Sequence, residues 1–173
     1  MIRYVVSNNA KIMFVGINPH YGSFRRRVPF SNNKMFWYLL NRSGIIDENT
    51  EDLSRDESLS RIYRNKFLQT YNLNFTNIII RPSRDVSQLK KGEENRGKRR
   101  ILRIISQCRP RVVCFVGKVT YLKFSGKKEF RFGWQKDIYD SKAYVMHFPI
   151  RGRASVRIKE LRKVKKVAED AEK

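Results

Sequence analysis

Four features of the sequence have residue types and spacings suited to chemistry. The first is VGINPHYGSFRRRVPF, Val15 to Phe30, where an apolar run closes at Gly16 and Ile17 and meets Asn18-Pro19. A glycine followed by Asn-Pro holds an amide side chain at a rigid strand exit. The same dipeptide is also an ordinary Asx-Pro turn, and residue types alone do not choose between the two. The second feature is Phe30, fixed behind Pro29. Taken alone it reads first as a core ring. Its functional reading is a platform for a planar base, where stacking is worth about 1–3 kcal/mol per base. The third is HFPIRGR, His147 to Arg153. It is either a strand-to-helix loop with solvated charges or a loop that pushes a side chain into a duplex while arginines hold phosphates. The fourth is the basic material: Arg25, Arg26 and Arg27, then Lys98, Arg99 and Arg100, then Lys163, Lys165 and Lys166. Most of these charges are expected to give salt-sensitive binding without sequence preference.

The whole-chain balance supports a polyanionic partner. Thirty-eight Lys and Arg against 16 Asp and Glu leave a net charge of +22 on 173 residues. Such a surplus repels itself unless a polyanion is near, and nucleic acid is the default. An anionic membrane surface is the competitor. It calls for a basic amphipathic helix with bulky apolar residues or a lipidation signal, and no such membrane signal is found. MIRYVVSNNAKIMFVG lacks a signal-peptide core, and no apolar run reaches spanning length. The apolar fraction, 40%, and the length suit one domain over residues 1–173. Cys108 and Cys114 sit in apolar patterns and read as buried thiols in a reducing compartment. Two Cys and two His, scattered as they are, do not make a usual zinc or iron–sulfur site, so no metal or cofactor is expected.

The elements that must position these residues follow from periodicity. KIMFVGI (Lys11 to Ile17), FTNIII (Phe75 to Ile80), RVVCFVG (Arg111 to Gly117) and Tyr144 to Phe148 read as buried strands. KDIYDSKAYVMHFP reads as a hairpin or an edge segment leading into the last strand. Helices are expected over Asn33 to Gly44, over DESLSRIYRNKFLQTY, over RILRIISQC, briefly around Tyr121 and Leu122, and from Ala154 as a basic tail to residue 173. In that tail Val156, Ile158, Leu161, Val164 and Ala168 form the expected apolar face. Arg84 to Arg100 reads as a long loop. Apolar strands alternating with helices predict an α/β fold: a three-layer α/β/α sandwich around a mostly parallel sheet of about four strands. In such sheets sites form beyond the carboxyl ends of the strands. The segments after Asn18, Arg81, Gly117-Lys118 and His147 should therefore meet.

Together these segments resemble the uracil-DNA glycosylase superfamily, in particular its mismatch-specific uracil/thymine-DNA glycosylase branch. VGINP followed by PF and FWYLLNRSG looks like the branch's first motif, base-stacking Phe and next helix. TNIIIRPS, RPRVVCFVGKVTY, FGWQ and YVMHFPIRGR follow in the expected order, so the likeness covers about residues 10 to 165. The resemblance implies a metal-independent, monofunctional enzyme that flips a damaged base from duplex DNA and hydrolyses its N-glycosidic bond. The substrate would be uracil opposite guanine, with thymine and hypoxanthine as further candidates. Asn18 would position the attacking water, and Phe30 would stack on the base. Gly16, Ile17, His20, Tyr21 and Asn77 would complete the base pocket. Arg25, Arg26, Arg27, Arg81, Ser83, Lys118, Arg151, Gly152 and Arg153 would meet the DNA. An amide is a poor general base. The rate must then come from an oxocarbenium-like sugar and a stabilised leaving base, helped by N–H groups around Ile17 to Tyr21.

Two positions depart from the branch. His20 replaces a glycine and either contacts the base or a phosphate or points to solvent. His147 opens the second motif. It either donates a hydrogen bond to the leaving base, most usefully as a neutral donor, or is a packed strand end. The wedge is Arg151 or Arg153. Two further readings stay open: a lesion-binding protein that kept the fold and lost the chemistry, and a nucleotide-handling enzyme on the same sheet. The second is weakened because Val116 to Lys118 is not a Walker-type loop. A monomer is expected, in the cytoplasm and nucleoid, or in the nucleus of a eukaryote.

Overall fold

A computed structural model describes residues 1–170. The expected α/β/α sandwich is present, with five strands where about four are expected. Strands β1 (Ile12–Gly16), β2 (Leu73–Asn77), β3 (Val112–Val116), β4 (Gly133–Ile138) and β5 (Ser141–Met146) run in the order β2-β1-β3-β5-β4. β2, β1, β3 and β5 are parallel. β4 is antiparallel to β5 and closes the edge. The fifth strand forms the hairpin expected over KDIYDSKAYVMHFP but begins earlier, at Gly133, where GWQKDI has one face open to solvent and so carries no apolar run.

Alternation along the central strands divides the core in two. Phe14, Cys114, Tyr144 and Met146 face helices α2 (Met35–Arg42), α4 (Asp56–Asn65) and α7 (Ala154–Asp170). Met13, Val15, Phe115 and Val145 face α5 (Glu93–Cys108) and α6 (Lys118–Ser125). The short helices α1 (Tyr21–Arg26) and α3 (Thr50–Ser54) complete the fold, with a 3-10 turn at Val86–Gln88. Both cysteines are free thiols, Cys114 buried and Cys108 partly so.

Several boundaries differ from expectation, the last strand running over Ser141–Met146 and α4 ending at Asn65 among them, and three differences have a clear tertiary reason. β2 lies over Leu73–Asn77 and not Phe75 to Ile80. Its buried Asn74 is satisfied by the Ser7 backbone, and Phe75 N–H donates to the Val5 carbonyl, so an N-terminal segment covers this edge. Polar residues thus sit inside a strand because their partners come from residues 4 to 7. The loop expected over Arg84 to Arg100 ends early, since α5 begins at Glu93. Glu93 and Glu94 place negative charge in its first turn, where the helix dipole favours it. Gly97, a loop signal in sequence, lets α5 approach the Ile78 carbonyl so closely that a Cβ would strike it. Finally, Val156 is exposed, whereas Ile158, Leu161, Val164 and Ala168 are buried as the α7 face.

Candidate functional site

The carboxyl ends of β1, β2, β3 and β5 lie on one edge, as parallel pairing requires. At the floor, Gly16 pairs with Asn77 across β1 and β2. A Cβ on Gly16 would collide with Asn77 Oδ1 and come within 3.3 Å of Phe30 Cζ. Gly16, Asn77 and Phe30 are therefore brought together. Asn77 is buried, and its Nδ2 donates to the Tyr4 hydroxyl at 3.0 Å. Arg100 donates to the Asn77 and Ile78 carbonyls from α5. It is held in place and half-buried, and desolvation lowers its pKa. Burial outweighs the Asn77 hydrogen bond and the Arg100 charge and raises the Tyr4 pKa.

Phe30 sits in a turn that its neighbours over-determine. Its backbone is left-handed, φ 51°, a conformation that costs a residue with a Cβ about 1–2 kcal/mol. The fully buried Trp37 donates its indole N–H to the Pro29 carbonyl at 2.8 Å and so pins the preceding residue. The Phe30 ring stacks on Phe36 at 4.6 Å and meets Phe75 edge-on at 5.5 Å. Strain of this kind persists where surrounding packing enforces it, often at functional sites.

The orientation of Asn18 follows from proton counting. Ser83 Oγ donates its one hydrogen to the Asp85 carbonyl at 2.8 Å. It can then only accept from Asn18, and it does so from Nδ2 at 2.7 Å. Nδ2 also reaches the Pro19 carbonyl at 3.3 Å. Both amide hydrogens are directed inward, and Oδ1 is left as an acceptor with no protein donor among the described residues. The Ser83 N–H donates to the Pro19 carbonyl at 3.1 Å, which ties the two loops together. Ser83 is fully buried. The expectation that it meets DNA is corrected: it positions Asn18 instead.

His20 caps α1, with Nδ1 accepting from the Gly22 N–H at 3.1 Å. Its neutral ring therefore carries hydrogen on Nε2. Ile17 is partly buried, and Tyr21 beside it is 48% exposed. Of the arginine run, Arg26 is held by Asp56 at 2.7 Å, while Arg25 and Arg27 lie exposed. Lys34 and Arg26 hold the Asp56 carboxyl below its ordinary range.

The β5 exit is built from α7. Glu160, buried, accepts from the His147 N–H at 3.1 Å and pairs with His147 Nδ1 at 2.7 Å. Phe132, just before β4, stacks on the His147 ring at 3.6 Å. One turn earlier on α7, the buried Arg157 donates to the Phe148 carbonyl at 2.7 Å and the Arg153 carbonyl at 2.6 Å. Phe148 packs against Gly117, whose φ of 96° and lack of a Cβ admit the ring. Its ring lies 6.3 Å from that of Phe30, so the first and last exits are joined by aromatic contact. The neutral-donor form of His147 does not fit this arrangement. A carboxylate accepts and never donates, so Nδ1 bears the hydrogen and a neutral ring offers Nε2 as an acceptor. Glu160, Arg157 and Phe132 were not among the expected site residues. Within a helix of 17 residues rich in Lys and Arg, one of three acids and one more arginine carry no sequence signal of burial.

The remaining cations divide into held and open groups. Arg81 makes a two-pronged ion pair with Glu93, both contacts 2.9 Å, and reaches the Gln88 carbonyl. Lys118 at the start of α6 and Arg151, Gly152 and Arg153 are exposed. Among the described residues, no three His, Cys, Asp or Glu side chains gather into a set that could hold a metal. No described helix is long and apolar enough to cross a membrane.

A G/U mismatch-specific uracil DNA glycosylase of Schizosaccharomyces pombe is 27% identical over 159 residues, covering 87% of this chain. The chain spans about half the length of that relative, 46%. The family model of the uracil DNA glycosylase superfamily matches residues 3–165, nearly the whole chain, and the protein belongs to that superfamily.

Proposed function

We propose that this protein is a monofunctional, metal-independent DNA glycosylase that removes uracil mispaired with guanine and leaves an abasic site. Thymine and hypoxanthine are the further candidate bases. The observation that carries the reading is the Asp85–Ser83–Asn18 relay, which leaves the Asn18 Oδ1 as an acceptor at the strand exit. An amide oxygen so held orients a water by accepting its hydrogen. It does not take a proton at neutral pH, so bond breaking must run ahead of water attack. The C1′–N bond opens toward an oxocarbenium-like sugar, with the electron pair passing to the base. The base, flipped from the stack, lies over the Gly16 floor against the Phe30 ring. Arg151 and Arg153 stand on the exposed loop where a wedge is needed, and the +22 charge supplies phosphate attraction. The protein acts as a monomer on duplex DNA, wherever the cell keeps its genome. The charge and the altered second motif favour one rival, a lesion-binding protein without chemistry.

The test is single-turnover base release from duplexes carrying G:U, G:T, A:U or hypoxanthine, with Asn18→Ala beside the natural protein. Release from G:U that falls by about 10²–10³-fold in Asn18→Ala, with binding retained, is expected. Tight binding with no release from any substrate would replace the enzyme with the lesion-binding protein.

A further inference from the structure

The carboxylate behind His147 decides what that ring can offer a substrate. Glu160 engages His147 twice, through the backbone N–H and through Nδ1. The His147 side chain stays 39% exposed and Phe132 covers its face, so the ring is fixed with the Nε2 edge unengaged among the described residues. Because Nδ1–H is given to Glu160, Nε2 bears a hydrogen only when the ring is an imidazolium. The other titratable groups facing the pair do not charge near neutrality. Burial and the Glu160 charge push the Cys114 thiol on β3 and the Tyr144 phenol on β5 upward. Arg157, one turn away on α7, donates to carbonyls of the 148–153 loop and not to Glu160. Glu160 is thus the anion that sets the His147 hydrogen pattern.

We propose that Glu160 is a positioning residue that makes His147 a proton-gated donor to the departing base. This rests on the glycosylase reading above. As the C1′–N bond breaks, its electron pair enters the base and charge spreads from the ring nitrogen onto a carbonyl oxygen of the base. The imidazolium Nε2–H hydrogen-bonds that oxygen, and the water that adds at C1′ releases its proton to solvent. Neutral His147 instead turns a lone pair toward the anion and repels it. Base release should therefore be full while His147 is protonated and fall as pH rises through its titration.

Glu160→Gln inverts the pattern without changing the shape. The carboxamide oxygen accepts from the His147 backbone N–H, and the amide NH2 donates to Nδ1. The neutral ring must then carry its hydrogen on Nε2, a donor at every pH.

The experiment has two readouts. Single-turnover rates on G:U duplex are measured across roughly pH 5 to 8, where histidine changes charge. The natural protein should lose about tenfold per pH unit above the titration, and Glu160→Gln should be nearly flat. Equal slopes in both proteins would overturn the proposal. Nitrogen-15 spectra of the two histidines, assigned with His20→Gln, report tautomers without substrate. Neutral His147 should carry hydrogen on Nδ1 in the natural protein and on Nε2 in Glu160→Gln. Hydrogen on Nε2 in the natural protein would also overturn it. The expected tautomers with no release from any substrate would locate the failure in the glycosylase reading and remove the proposal with it. If circular dichroism shows that Glu160→Gln unfolds, His147→Asn supplies the kinetic arm. It should lose the pH-dependent component and sit at the natural protein's high-pH rate, and a retained slope would overturn the proposal.

Discussion

Ser83 accepts a hydrogen from Asn18 at 2.7 Å while giving its own to the Asp85 carbonyl, and this pair settles which end of the Asn18 amide faces outward. Were the amide turned over, two acceptors would meet at Ser83, and a partly buried hydrogen bond would become a repulsion. Replacing Ser83 by Ala removes that constraint. We expect base release to slow by about tenfold, with substrate binding nearly unchanged. The partly buried Asn18 donor loses a partner, so stability should fall by about 1 kcal/mol. Single-turnover kinetics and urea unfolding check the two effects separately.

Gly16 admits no side chain without displacing Asn77 or Phe30. Asn77 is anchored by Tyr4, so the short amide has little room to move. Gly16→Ala should cost about 1–3 kcal/mol through overpacking. Base release should drop more than DNA binding does, since the distortion falls on the pocket floor. Unfolding curves beside duplex-binding titrations give the comparison.

Gly97 tests the fold away from the site. A methyl there meets the Ile78 backbone, which cannot rotate away. Alanine favours an isolated helix over glycine by about 0.8–1.0 kcal/mol. Gly97→Ala should nevertheless destabilise the protein, because α5 must lift off β2. Thermal unfolding with a higher midpoint than the natural protein would contradict this contact.

Salt dependence separates the arginines. Each phosphate neutralised contributes about 0.9 to the slope of log affinity against log salt. Arg151 is exposed, so Arg151→Ala should reduce the slope by about one. Arg81 is already held by Glu93 and the Gln88 carbonyl, so Arg81→Ala should leave the slope unchanged. Binding titrations at several salt concentrations measure both.

Much of this arrangement was readable from local pattern. The central strands are short runs of Ile, Val, Phe and Met buried on both faces, a composition typical of parallel strands covered by helices. Parallel order then requires Asn18, His147 and the Arg81 segment to emerge on one edge. β4 was harder, because an edge strand with one solvated face lacks such a run. The start of α5 was harder still, because Gly92, Glu93, Glu94, Asn95 and Gly97 resemble a loop until Ile78 is seen to require the glycine.

Burial periodicity and chain order are local properties, and they were enough to define the layered fold, the strand exits and the residue types that stand there. What those residues can do emerged only with folding. Asn18 is oriented by Ser83, 65 positions away, and His147 takes its hydrogen pattern from Glu160 on the final helix. Hydrogen-bond polarity depends on which partner arrives in space, and a donor or acceptor role is therefore absent from the chain until it folds.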